Sequence, residues 1–122
     1  MGRVVHFEIC AEDPDRAAKF YSDVFGWEIQ NWGGPIDYRL VMTGEESAKG
    51  IDGGIRKRET PEEKTINTID VASLDESLKK IQEAGGKVIM PKSPIPGVGY
   101  MAYCRDTEDI VFGVMEADTS AK

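Results

Sequence analysis

Shifted by 60 residues, this chain falls on itself: Ile9 lands on Ile69, Asp15 on Asp75, Lys19 on Lys79, Gly26 on Gly86 and Ile29 on Ile89. Each coincidence occupies the same place in a local pattern that runs strand, helix start, helix middle, helix cap, next strand. Identities at one offset, with the order of elements preserved, mark an internal duplication. The repeated unit is βαβββ, used twice over about residues 1–56 and 65–117, which puts the chain in the α+β class. One such unit has a sheet face that it cannot cover alone, so two must pair. At 122 residues the chain can hold one domain with a real core, but not two independent ones.

The first copy shows the unit plainly. Val4-Val5-His6-Phe7-Glu8-Ile9-Cys10-Ala11 alternates, with Val5, Phe7 and Ile9 on one face and His6, Glu8 and Cys10 on the other. Asp13 supplies an N-cap oxygen and Pro14 sits where a missing N–H costs least, so a helix should start here and end in a left-handed cap at Gly26. Trp27–Trp32, Tyr38–Met42 and Ile51–Ile55 read as three further strands, the last weakened by its glycines, with Gly33-Gly34-Pro35 as a turn. Arg56 to Lys64 reads as a charged linker. The second copy restarts at Thr65–Val71, and Ser73 caps a helix faced by Leu74, Leu78 and Ile81 that Gly85-Gly86 stops. Lys87–Met90, Tyr100–Arg105 and Ile110–Glu116 are its later strands. Pro91 to Gly99 is expected as a loop, either a lid or an ordered connector.

Charge narrows the partners. The balance of 22 acidic against 15 basic residues gives a net charge of -7, which disfavours nucleic acid and anionic membrane. Arg56-Lys57-Arg58, the one basic run, reads as a solvated loop edge. With no signal-like stretch at Met1-Gly2-Arg3-Val4-Val5 and no run of spanning length, the simplest compartment is the cytoplasm. Cys10 and Cys104 stand far apart in strand-like runs and read as buried thiols, with a disulfide left open. No nucleophile motif, P-loop or dinucleotide fingerprint is present.

On the twice-used unit stand His6-Phe7-Glu8-Ile9, then Asp13-x-Asp15-Arg16-Ala17-x-x-Phe20-Tyr21-x-x-Val24-Phe25-Gly26-Trp27, and late Asp106-x-x-x-x-Val111-Phe112-Gly113. Together they resemble the vicinal oxygen chelate (VOC) superfamily, which includes glyoxalase I, extradiol dioxygenases and bleomycin and fosfomycin resistance proteins. The resemblance covers nearly the whole chain. It implies a curved, partly closed mixed sheet with helices on the outer face, a glyoxalase/bleomycin resistance/dihydroxybiphenyl dioxygenase-like fold, working as a homodimer. It also implies a divalent metal in the concavity, held by one side chain from the first and last strand of each unit. His6 matches the first position. The repeat carries it to Ile66, and the last-strand position at Gly113 carries back to Gly53. Isoleucine and glycine side chains offer no lone pair, and a divalent ion needs two or three protein donors to outcompete water. Asp52, Asn67 and Glu116 would serve only if strand register slipped, which turns a whole strand over. No cofactor is therefore expected.

Alternation then names the lining. If His6 and Glu8 face inward, so do Cys10, Ile66 and Thr68, with Val111, Gly113 and Met115 on the last strand and Ile51, Gly53 and Ile55 on the fourth. Trp27, Trp32 and Tyr38 flank the first unit's strands, and Trp32 is the candidate to close over a planar ligand. The resemblance and this lining imply a metal-independent protein that binds a small organic molecule in a mostly apolar pocket, with His6, Glu8 and Thr68 as polar points. The rivals are a metal-dependent glyoxalase-like lyase or dioxygenase, and a metal-free isomerase or lyase using His6 and Glu8 as acid and base. The plain alternatives are a hydrogen-bonded histidine with no ligand and an apolar lining that is simply core. Phe20, Tyr21 and Phe25 sit at core spacing on the first helix.

Overall fold

The computed structural model of the protein describes residues 2–34 and 36–122, so Pro35 of the expected turn lies outside the described residues. Ten elements follow in the order β1 (Arg3–Ala11), α1 (Pro14–Phe25), β2 (Glu28–Asn31), β3 (Tyr38–Met42), β4 (Asp52–Lys57), β5 (Thr65–Asp70), α2 (Leu74–Glu83), β6 (Lys87–Ile95), β7 (Gly99–Arg105) and β8 (Val111–Ala117). The order is βαβββ twice. Contacts group the chain into one compact unit, Val5–Ile66, and another made of Met1–Val4 with Asn67–Lys122.

In the Val5–Ile66 unit the strand order is β2-β3-β4-β1. β1 runs parallel to β4, while β2–β3 and β3–β4 are antiparallel. Helix α1 forms because its ends are satisfied locally. The Asp13 carboxylate accepts from Arg16 N at 3.1 Å, Pro14 opens the first turn, and Gly26 closes the last in the left-handed region at φ 72°. Its inner stripe, Ala17, Ala18 and Tyr21, covers Ala11, Val41 and Ile55, with Phe7, Ile9, Trp27 and Ile29 around them. Tyr21 stacks on Trp27 with ring centroids 4.7 Å apart. Ile55 is fully buried, and truncating such a residue to alanine costs about 2–5 kcal/mol.

The other unit repeats the plan as β5-β8-β7-β6, with β5 parallel to β8. Ser73 Oγ accepts from Glu76 N and the Glu116 carboxylate accepts from Leu74 N at 2.8 Å, so two donors of the first turn of α2 are met. Leu74, Leu78 and Ile81 pack with Ala102, Cys104, Val114, Val88 and Phe112. Cys10 and Cys104 are both buried free thiols. Among the described residues no helix is long and apolar enough to cross a membrane.

Two expectations change here. The fourth strand covers Asp52–Lys57 rather than Ile51–Ile55, and its register pairs Phe7 with Gly53, Glu8 with Gly54 and Ile9 with Ile55. Gly53 and Ile55 therefore face α1. Asp52, Gly54 and Arg56 share the face of His6, Glu8 and Cys10. Two adjacent glycines carry no hydropathy, so the parity of this strand has no local signature, and a shift of one residue inverts it. The stretch from Pro91 to Gly99 is no long loop. Strand β6 continues through Ile95, a three-residue turn follows, and β7 begins at Gly99. Pro91 falls within the register shift between Met90 and Ser93, and Pro94, in register with Tyr100, is tolerated because β6 ends the strand order.

Candidate ligand site

On the sheet face turned away from α1, β1 supplies His6 and Glu8, β3 supplies Tyr38, and β4 supplies Gly54 and Arg56. Their side chains form a continuous hydrogen-bonded chain. His6 Nε2 lies 2.8 Å from Tyr38 Oη, and Tyr38 Oη donates to Glu8 Oε2 at 3.0 Å. Arg56 Nε donates to Glu8 Oε1 at 3.1 Å, and its Nη1 and Nη2 grip the Glu63 carboxylate at 3.1 and 3.3 Å. Glu63 in turn accepts from Glu59 N at 2.7 Å, which ties the charged segment before β5 to the same guanidinium. Gly54 is required by this geometry, since a Cβ there would stand 2.1 Å from Tyr38 Oη.

The chain is expensive to build and so well defined. Glu8 is only 4% exposed, and a buried carboxylate is tolerated only when paired and hydrogen-bonded. Burial depresses the basicity of His6, with Glu8 and Asp52 opposing it, and the net direction is downward. His6 is therefore neutral at pH 7. Burial would raise Glu63, but hydrogen bonds from Arg56 and Glu59 N and the Arg56 charge outweigh it and hold that carboxyl low. Cys10, on the same face, is pushed up to about 11, chiefly by burial. It is a poor nucleophile.

The fold repeats a known plan, and relatives identify it. The family described as bleomycin resistance protein-like N-terminal matches residues 3–44. A glyoxylase-like domain-containing protein of Didymella fabae is 31% identical over 112 residues, covering 88% of each chain. The chain belongs to the VOC superfamily. Solved structures agree on the fold. They include the hypothetical protein BH1468 from Bacillus halodurans, with a TM-score of 0.73 at 14% identity, covering 99% of this chain and 98% of that one. Methylmalonyl-CoA epimerase from Mycobacterium tuberculosis gives 0.68 at 13% identity, covering 93% and 87%. At such identities the likeness carries the fold and no activity.

In this VOC protein the positions expected to hold a metal do not supply the donors. The inward-facing residue of β4 is Gly54 rather than Gly53, and with His6, Ile66 and Gly113 the set still contains a single coordinating side chain. The near neighbours are otherwise engaged: Asp52 Oδ1 accepts from Thr43 N at 2.9 Å, and Glu116 Oε1 caps α2. Among the described residues no three His, Cys, Asp or Glu side chains gather as a metal site. At the four expected positions a divalent ion would meet one protein donor, where it needs two or three to outcompete water.

Of the residues named from sequence, His6 and Glu8 meet through Tyr38, and Trp32 packs edge-on against Tyr38 at 6.2 Å. Ile66 is buried at the close of that unit. In the other unit Thr68 pairs in register with Gly113, and a Cβ on Gly113 would stand 3.1 Å from Thr68 Oγ1. That hydroxyl is buried without a hydrogen-bond partner among the described residues. Met115 pairs with Asp70, and Val111 opens β8. Sequence reasoning missed Arg56 and Glu63. The basic run was expected to be solvated, whereas the Arg56 side chain is 12% exposed and paired on both sides. Its signal was parity: Asp52, Gly54 and Arg56 alternate once the strand is carried two residues further.

Proposed function

We propose that this VOC protein binds a small organic molecule, without a metal ion, on the sheet face of the Val5–Ile66 unit that carries His6, Tyr38 and Glu8. One observation supports it above the rest: a carboxylate 4% exposed is held by Arg56 and Tyr38 so that a neutral imidazole stands at the end of a fixed polar chain. A chain folding only for stability gains little from such an arrangement, because buried ion pairs rarely outperform apolar packing. Preorganised polar groups are the usual equipment of a small-molecule site. A fold neighbour was solved as methylmalonyl-CoA epimerase with methylmalonyl-CoA bound, so acyl thioesters belong in the first screen. The assembly we propose is a homodimer, checked by light scattering.

A thermal-shift screen of small acids, thioesters and aromatics against the wild type and His6→Ala tests this. Binding at a hundredfold over Kd stabilises by about 2.7 kcal/mol, which is readily seen. Hits that vanish in His6→Ala support the site; hits indifferent to it place binding elsewhere. Stabilisation by added Zn, Ni, Fe or Mn would overturn the metal-free part.

A second reading is favoured by the state of His6. A neutral imidazole whose Nε2 is engaged by Tyr38 keeps a basic Nδ1, which suits proton abstraction in a metal-free isomerase or lyase. Glu8, with its oxygens held by Arg56 and Tyr38, then serves as anchor rather than acid or base. If a substrate is found, His6→Ala that keeps affinity but loses turnover selects this reading.

A further inference from the structure

We propose that Arg56, acting through Glu8 and Tyr38, fixes the tautomer of His6, so that Nδ1 is the ring's open acceptor and the site takes molecules that donate a hydrogen bond. The choice of ligand class rests on the ligand-binding reading above; the tautomer does not. The argument is one of donors and acceptors. The Glu8 carboxylate, ion-paired with Arg56 Nε at 3.1 Å, can only accept. Tyr38 must therefore spend its single O–H on Glu8 Oε2. Its oxygen then meets His6 Nε2 at 2.8 Å as an acceptor, which requires a proton on Nε2. A neutral ring with Nε2–H has a bare lone pair on Nδ1, and that nitrogen has no hydrogen-bond partner among the described residues. A molecule presenting an O–H or N–H can meet it. One presenting only a carbonyl or ether oxygen would set two lone pairs against each other.

Arg56 and Tyr38 are positioning residues on this account, and His6 is the group that touches the ligand. Because the chain holds a single histidine, its ring nitrogens can be read without assignment ambiguity in a long-range 1H–15N spectrum of the ligand-free protein. In the wild type at pH 7, Nε2 should resonate as a protonated nitrogen and Nδ1 as an unprotonated one. Glu8→Gln should invert the pair: the glutamine carbonyl turns to Arg56, its NH2 donates to Tyr38 Oη, and the tyrosine hydroxyl must then donate to Nε2, which drives the proton to Nδ1. Tyr38→Phe, which keeps the ring and the packing, should give the averaged signals of a free two-tautomer imidazole. A wild-type ring protonated on Nδ1, or nitrogen shifts that are the same in wild type and Tyr38→Phe, would overturn the proposal.

The ligand class is read separately with matched fragments, a phenol beside its methyl ether and a primary carboxamide beside its N,N-dimethyl twin. The uncapped members should move the Nδ1 resonance and the capped ones leave it in place. Equal shifts by both members of each pair would sink the donor preference. Should no small molecule shift it, the ligand-binding reading fails while the tautomer assignment, measured without ligand, stands.

Discussion

Arg56 and Glu8 lie on neighbouring parallel strands and meet at 3.1 Å with side chains 12% and 5% exposed, so a full ion pair is enclosed within the face that carries the candidate site. Removing one partner leaves the other charge buried and unpaired. Arg56→Met should lower stability by about 3–5 kcal/mol, measured by urea unfolding. Arg56→Lys keeps the charge but loses the planar fork that spans Glu8 and Glu63, and should fall between the two. A loss under about 1 kcal/mol for Arg56→Met would mean that the pair is effectively solvated.

Gly53 and Gly54 are adjacent but are required for opposite faces. An added Cβ meets Phe7 backbone oxygen at 2.5 Å from Gly53, and Tyr38 Oη at 2.1 Å from Gly54. Backbone on a paired strand cannot yield, whereas a tyrosine ring can swing. Gly53→Ala should cost more stability than Gly54→Ala, whose penalty should be about 1–3 kcal/mol. Gly54→Ala should also break the contact of Tyr38 with His6, which the histidine spectrum reports. Equal penalties and an unchanged spectrum would refute the assignment of faces.

Acid should destabilise the protein in two stages, and the sign follows from the direction of each shift. The folded state holds His6 below its ordinary value of 6.5, so the unfolded chain takes up this proton first and stability falls as pH drops below about 6.5. Glu63 is held below its ordinary 4.5, so a further loss begins as pH falls past that value. His6→Gln should flatten the upper stage of a stability–pH curve and leave the lower one. A curve identical to wild type between pH 7 and 5 would show that His6 titrates alike in both states.

Cys10 should be silent toward thiol reagents. With its thiol pushed up to about 11, only about one molecule in a thousand is thiolate at pH 8, and burial closes access. Iodoacetamide at pH 8 should leave both cysteines unmodified in the native protein and alkylate both in denaturant. Rapid native labelling of Cys10 would mean that its strand opens.

The local grammar of the chain was complete enough to place most elements. Asp13-Pro14 and Ser73 announce their helices, Gly26 and Gly85-Gly86 end them, and the short run Tyr38–Met42 forms a strand with the predicted bounds. These signals act over four or five residues and need no partner to be read. Errors fell where the signal was tertiary. Gly53-Gly54 gives no parity, the prolines of β6 hide an edge strand, and the charged run after β4 conceals an arginine that faces inward.

By itself, then, the sequence determined the duplication, the βαβββ order and the pairing of His6 with Glu8 on one strand face, because periodicity and caps are properties of a short stretch. Only the tertiary structure decided that Tyr38 stands between them, that Gly54 rather than Gly53 lies beneath it, and that Arg56 holds Glu8 in place. Those contacts join residues 30 and 48 positions apart. Their partners are set by strand register, and register is fixed when the sheet assembles.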